Sequence, residues 1–232
     1  MTYYHLTGSL NGALFVLSLA GLVAQLGTIW RRRRASEAPA ESATAVLSLN
    51  YFSVSYLAYF SFFVYGYSIL PFNHYLVWPR LLGCVLVLVV LFEIARDRRT
   101  RLSQLATGTA VVLLVAGLAL LVSGRASGAA ARTGPQLLSV VAAVFISQSL
   151  LHQIFLIRRS GQIGAVSWPL HFFTFLKDLS TLLFGLSMSL ALGWPLMVMG
   201  GASAALKLVL LWHLRHWPIA AAGSGPRVTR DR

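Results

Sequence analysis

Seven runs of about twenty predominantly apolar residues occupy most of this chain, and each is long enough to cross the hydrocarbon core of a bilayer. They fall at 8–30, 45–68, 76–95, 104–123, 136–157, 166–190 and 194–214. Composition agrees: with 57% hydrophobic and 11% charged residues over 232 positions, too few polar side chains remain to coat a water-facing globule of this size. The pattern predicts an all-α membrane protein of seven transmembrane helices.

The first run is not read as a cleavable signal peptide, because MTYYHLT before it carries no Lys or Arg and Arg31 to Arg34 follow it. It is read as a span with its amino end outside. Counting Lys and Arg beside the spans supports that orientation: fourteen lie on the expected inner side, against Arg80, Arg125 and Arg132 on the outer. The excess places the amino terminus outside and the carboxyl terminus in the cytoplasm. The formal charge of +13 therefore marks topology, with the lipid bilayer and not nucleic acid as the implied partner. Arg and Ala richness is compatible with a bacterial cytoplasmic membrane.

The chain also repeats itself. GLVAQLGTIWRRRR and SLLHQIFLIRRSG each end a span with Gln, an apolar turn and Arg, which aligns Gln25 with Gln153. In the spans that follow, Ser48, Leu57, Gly66 and Ser68 match Ser167, Leu176, Gly185 and Ser187 at a constant offset. Trp78-Pro79 then pairs with Trp194-Pro195, and LFEI with LWHL. Two three-span units result, residues 8–95 and 136–214. An odd number of spans would invert the second unit, and the fourth run, 104–123, restores its direction; nearly devoid of polar side chains beyond Ser and Thr, it suits a lipid-facing linker. The expected plan is 3+1+3 with parallel repeats enclosing a site near the midplane, followed by a flexible cytoplasmic tail, 215–232.

A Gln ending the first span of each unit, then basic residues, a short loop and a Ser before the next span resembles the PQ-loop transporters, the SWEET and MtN3-like carriers, over residues 8–214. The resemblance implies a seven-helix carrier for small solutes such as sugars or amino acids, working by alternating access. The proline that precedes the family's glutamine is Ala24 in one copy and His152 in the other. The asparagine that contacts sugar in the third helix of each unit has no counterpart in 76–95 or 194–214, so a sugar substrate is not implied.

In the sixth span Ser167, His171, Thr174, Asp178, Thr181 and Gly185 step by four and three, which lays them along one helix face. The counterparts in the second span, Ser48, Phe52, Ser55, Tyr59, Phe62 and Gly66, make a milder stripe with aromatic members. Two such stripes facing each other would line a pathway; the plainer account is helix packing through small and hydroxyl residues. Ionisable groups at depth are costly and usually functional. Asp178 is the one carboxylate well inside a span, with Lys177 and Lys207 as partners, and is either a proton-coupling site or half of a fixed ion pair. If both lysines stay charged, the site is net positive and would favour an anionic solute. Glu93 is expected to pair with Arg96.

Candidate pathway residues are accordingly Asn50, Ser55, Tyr59, His171, Thr174, Asp178, Thr181 and Lys207, and candidate gating residues Gln25, His152 and Gln153. For His152 the plain alternative is hydration near the interface. The tryptophans near span ends fit an aromatic belt. The lone Cys84 excludes an internal disulfide, and the chain has no zinc spacing, phosphate loop or Ser-His-Asp spacing, so neither a metal, a cofactor nor an enzyme is expected. A retinal photoreceptor would use Lys207 but needs a deep carboxylate in the third span, which is missing. The expected function is a carrier of a small polar solute, with a receptor or scaffold of the same fold as the alternative. Two units already make a complete pathway, so homo-oligomers are neither required nor forbidden.

Overall fold

Every predicted span is a helix in the computed structural model, which describes residues 2–35, 44, 47–124, 129–160 and 168–216. The helices are α1 Thr2–Ala35, α2 Leu49–Ser68, α3 His74–Arg98, α4 Arg101–Ser123, α5 Ala129–Ser160, α6 Trp168–Ser187 and α7 Leu190–His216. Several ends have a side-chain cause. The hydroxyl of Ser48 accepts from the Tyr51 amide at 3.2 Å, so the serine that opens the second span is the N-cap of α2. Asn73 caps α3 and Thr100 caps α4 in the same way. The repeat-related prolines Pro79 and Pro195 each stand five residues after the first residue of their helix, His74 and Leu190.

In the first unit α3 packs against both α1 and α2; in the second, α7 packs against both α5 and α6. Between the units, α1 meets α6 and α2 meets α5. The six helices therefore close a ring in the order α1, α3, α2, α5, α7, α6, and a half turn maps that order onto itself. The linker α4 lies outside the ring on α3 and α2. Tyr56 Oη donates to the Ala110 carbonyl at 2.6 Å, and Thr107 Oγ1 donates to the Leu91 carbonyl at 3.0 Å. Leu102, Leu105, Val112 and Val122 on α4 point away from the protein, as a lipid-facing helix requires.

By length and composition α1, α3, α4, α5 and α7 can cross a membrane. Among the described helices, α2 and α6 fall short of that apolarity, and they are the second helix of each unit. Hydroxyls, tyrosines and the Lys177-Asp178 pair replace aliphatic residues there, so polar character is concentrated at repeat-related places.

Two repeat-related glycines explain the tight pairing of α2 with α3 and of α6 with α7. A Cβ on Gly66 would meet Leu76 Cβ at 2.8 Å, and one on Gly185 would meet the Gly193 carbonyl oxygen at 3.0 Å. Small residues at such crossings let backbones approach and gain close-range attraction where no hydrophobic effect separates protein from lipid. The largest buried cluster, with Tyr56, Phe60, Phe63, Val87 and Leu91, lies within the first unit and under α4. A second, Leu150, Ile154 and Leu210, lies within the second unit. A third joins the two units through Phe62, Tyr65, Ile69, Leu76, Phe184 and Leu196.

Candidate functional site

Asp178, 4% exposed on α6, is gripped by three donors. Lys207 Nζ from α7 donates to Oδ2 at 2.5 Å, Ser203 Oγ from α7 donates to the same oxygen at 2.5 Å, and Lys177 Nζ lies 2.9 Å from Oδ1. Lys207 and Ser203 are four residues apart and so share one face of α7. Gly200 on α7 lets them come this close, since a Cβ there would stand 2.9 Å from the Asp178 carbonyl oxygen. Lys207 Nζ also reaches the Thr174 carbonyl at 3.5 Å.

Opposite this cluster sits Phe15 of α1, with no exposed surface. The Lys177 ammonium is 5.7 Å from the Phe15 ring centre, and the guanidinium of Arg80, from α3, lies 3.7 Å from it. Tyr59 packs edge-on against Phe15 with ring centres 5.1 Å apart, in the space left by Gly83. Arg80 is 2% exposed, and its Nε and Nη1 have no hydrogen-bond partner among the described residues. Arg80, counted in the sequence among the charges of the outer side, lies about one and a half helical turns inside α3, folded between α1 and α2. The site holds Lys177, Lys207 and Arg80 against the one carboxylate of Asp178.

The contacts between the two units are one-sided. Thr7 Oγ1 donates to Ser187 Oγ at 2.9 Å, and Asn11 Nδ2 donates to Thr181 Oγ1 at 2.7 Å and to Ser180 Oγ at 3.2 Å. Tyr65 Oη donates to the Leu192 carbonyl at 2.5 Å, and Tyr4 and Tyr75 pack against Phe184. Among the described residues, each hydrogen bond joining the units lies in the half where α1 begins. In the other half, contacts between described residues lie within a unit: Arg33 Nη1 pairs with Glu93 Oε2 at 2.5 Å, Trp30 Nε1 donates to Glu93 Oε1 at 3.2 Å, and Arg158 Nε donates to His213 Nε2 at 2.7 Å. Glu93 thus pairs with Arg33 across α1 and α3, not with Arg96 on its own helix as expected, and Trp30 is tied into that contact.

The remaining predicted residues are dispersed. Thr181 is buried against Asn11, while Asp178 and Gly185 of the same stripe face α7, so the stripe serves two neighbours. Ser55, Tyr59, His171 and Thr174 are half-buried, Thr174 Oγ1 donating to the His171 carbonyl at 3.1 Å. Asn50 is exposed at the start of α2, and Gln25 is half-buried on α1. His152 lies exposed on α5, in a groove of about 620 Å³ with Gln148, Phe155 and Val198 that shares no residue with the charged cluster. The Gln153 side chain and Ser167 lie outside the described residues. Sequence reasoning missed Arg80, Asn11, Phe15 and Ser203. Arg80 and Asn11 carried a usable signal, being strongly polar and inside an apolar run; Ser203 and Phe15 carried none.

The fold is that of a seven-helix integral membrane protein built on a 3+1+3 plan. It is similar to a solved structure described as a eukaryotic SWEET transporter at 3.7 Å resolution, with a TM-score of 0.66, 18% sequence identity, and coverage of 92% of this chain and 98% of that one. No family model and no curated protein sequence matches the chain.

Proposed function

We propose that the chain is a membrane carrier that moves a small polar solute by alternating access between the bundles 8–95 and 136–214, with 104–123 as the linker. The solute is a sugar, an amino acid or a small organic anion. The observation that carries this reading is the seam where α1 begins: among the described residues, the hydrogen bonds that join the bundles gather at that end. Rocking one bundle about the charged centre would exchange which end is joined. The likeness to a solved transporter structure supports the same reading.

With the amino terminus outside, as the arginine distribution favours, the seam is the extracytoplasmic gate and the conformer is sealed on that side. In this reading the protein resides in a bacterial cytoplasmic membrane. Asp178 is the candidate for proton coupling, since it is the carboxylate at the centre of the ring and contacts the two cations beside it. Tyr59, Ser55, Thr174, His171 and Thr181 line the route, and Gln25, His152 and Gln153 belong to its cytoplasmic end. A receptor or scaffold of the same fold would bind a solute without moving it. The deciding experiment is solute uptake into proteoliposomes containing the full chain, with a pH gradient imposed in either direction. Net accumulation supports a carrier, and saturable binding with no flux sinks it in favour of a receptor.

A further inference from the structure

Among the described residues, Arg80 is the buried cation that has no ion-pair partner. A buried ion is tolerated in a low-dielectric interior only when a partner of opposite sign or several hydrogen bonds compensate it. Arg80 has the face of Phe15 at 3.7 Å, which offsets part of the charge, yet Nε and Nη1 donate to no described residue. The carboxylate of Asp178 is already held by Lys177, Lys207 and Ser203. Glu93 is engaged by Arg33 at the far end of α3, and Asp97 there accepts from Thr44. The remaining acidic residues, Glu37, Glu41 and Asp231, lie outside the described residues and outside the apolar runs.

We propose that the solute is a small organic carboxylate and that the Arg80 guanidinium receives it, an inference that rests on the carrier reading. A planar guanidinium offers N–H donors in the geometry a carboxylate accepts, where an ammonium offers a point charge. Three cations facing one carboxylate leave two positive charges at the centre of the ring. One carboxylate brings that excess down by half and supplies the acceptors Arg80 lacks. A neutral polyol or sugar supplies acceptors but leaves the charge excess unchanged. The second repeat has Leu196 after its Trp-Pro pair, at the place of Arg80, so the anion site belongs to the first unit alone, while the second unit holds the Asp178 cluster.

The test measures the melting temperature of the purified full chain in detergent with sodium pyruvate, lactate or succinate, with lactamide or glucose, and with sodium chloride at matched ionic strength. The expected result is a rise of about 2 °C or more with at least one carboxylate and none with the neutral solutes or chloride. Arg80→Gln is expected to lose that rise, and Arg80→Lys, which keeps the charge and guards against simple misfolding, to weaken apparent affinity by about tenfold through loss of the planar donor set. A rise with glucose or lactamide and none with any carboxylate overturns the anion inference and leaves the carrier reading standing. An equal rise with chloride, or a carboxylate rise that survives in both Arg80 variants, overturns it as well. No rise with any solute, together with no uptake into proteoliposomes, overturns both.

Discussion

Lys207 on α7 and Asp178 on α6 form an ion pair at 2.5 Å that binds the two helices at the centre of the ring, with Ser203 donating to the same oxygen. Removing Asp178 strands the Lys207 ammonium in a buried setting, whereas removing Lys207 leaves Asp178 to Lys177 and Ser203. Asp178→Asn is expected to lower stability by about 3–5 kcal/mol and Lys207→Met by less, and the double variant to recover part of the Asp178→Asn loss. Expression level and melting temperature of the three variants check this; a double variant no better than the worse single one argues against a structural pair.

Asp178→Asn also tests coupling. If the carboxylate carries the proton, pH-driven uptake into proteoliposomes falls to background in this variant while exchange of solute at equal pH on both sides persists. Undiminished pH-driven uptake would remove Asp178 from the coupling mechanism.

Thr7 and Ser187 bring their hydroxyl oxygens to 2.9 Å across the seam, close enough for paired thiols to bond. In the double variant Thr7→Cys/Ser187→Cys, mild oxidation is expected to crosslink the bundles and reduce uptake to background, and a reductant to restore it. Cys84 is buried and does not interfere. A crosslinked protein that transports at the uncrosslinked rate would show that the seam need not open.

Gly193 faces the Gly185 backbone so closely that a Cβ would collide with its carbonyl, whereas Gly21 has nothing within 4 Å of that position. Gly193→Ala is expected to cost about 1–3 kcal/mol or more by overpacking the α6 and α7 crossing. Gly21→Ala, relieving a helical glycine, leaves the melting temperature unchanged or slightly higher. Thermal melts of the two variants in the same detergent compare them directly, and equal melting temperatures would contradict the packing.

The spans, their number, the 3+1+3 plan and the pairing of Asp178 with lysine were legible in the sequence. Apolar length reports whether a segment can cross lipid, the repeat reports which helices are equivalent, and a lone carboxylate in an apolar run has few partners to choose from. The face of α6 that carries Asp178 and Thr181 was also legible from its spacing. What that face touches was not: Thr181 meets Asn11 of α1, and Asp178 meets α7.

Tertiary structure alone decided the ring order, the one-sided seam and the location of Arg80. Periodicity specifies a face on one helix but not which neighbour covers it, because that depends on the crossing angles that glycines such as Gly66, Gly185 and Gly193 permit. Arg80 beside Trp78 and Pro79 has the local sequence of an interface residue. Only the folding of α3 between α1 and α2 turns its guanidinium onto Phe15 and away from water. Glu93 changed partner for the same reason: Arg96 is nearer along the chain, but packing of α1 on α3 brings Arg33 to it in space.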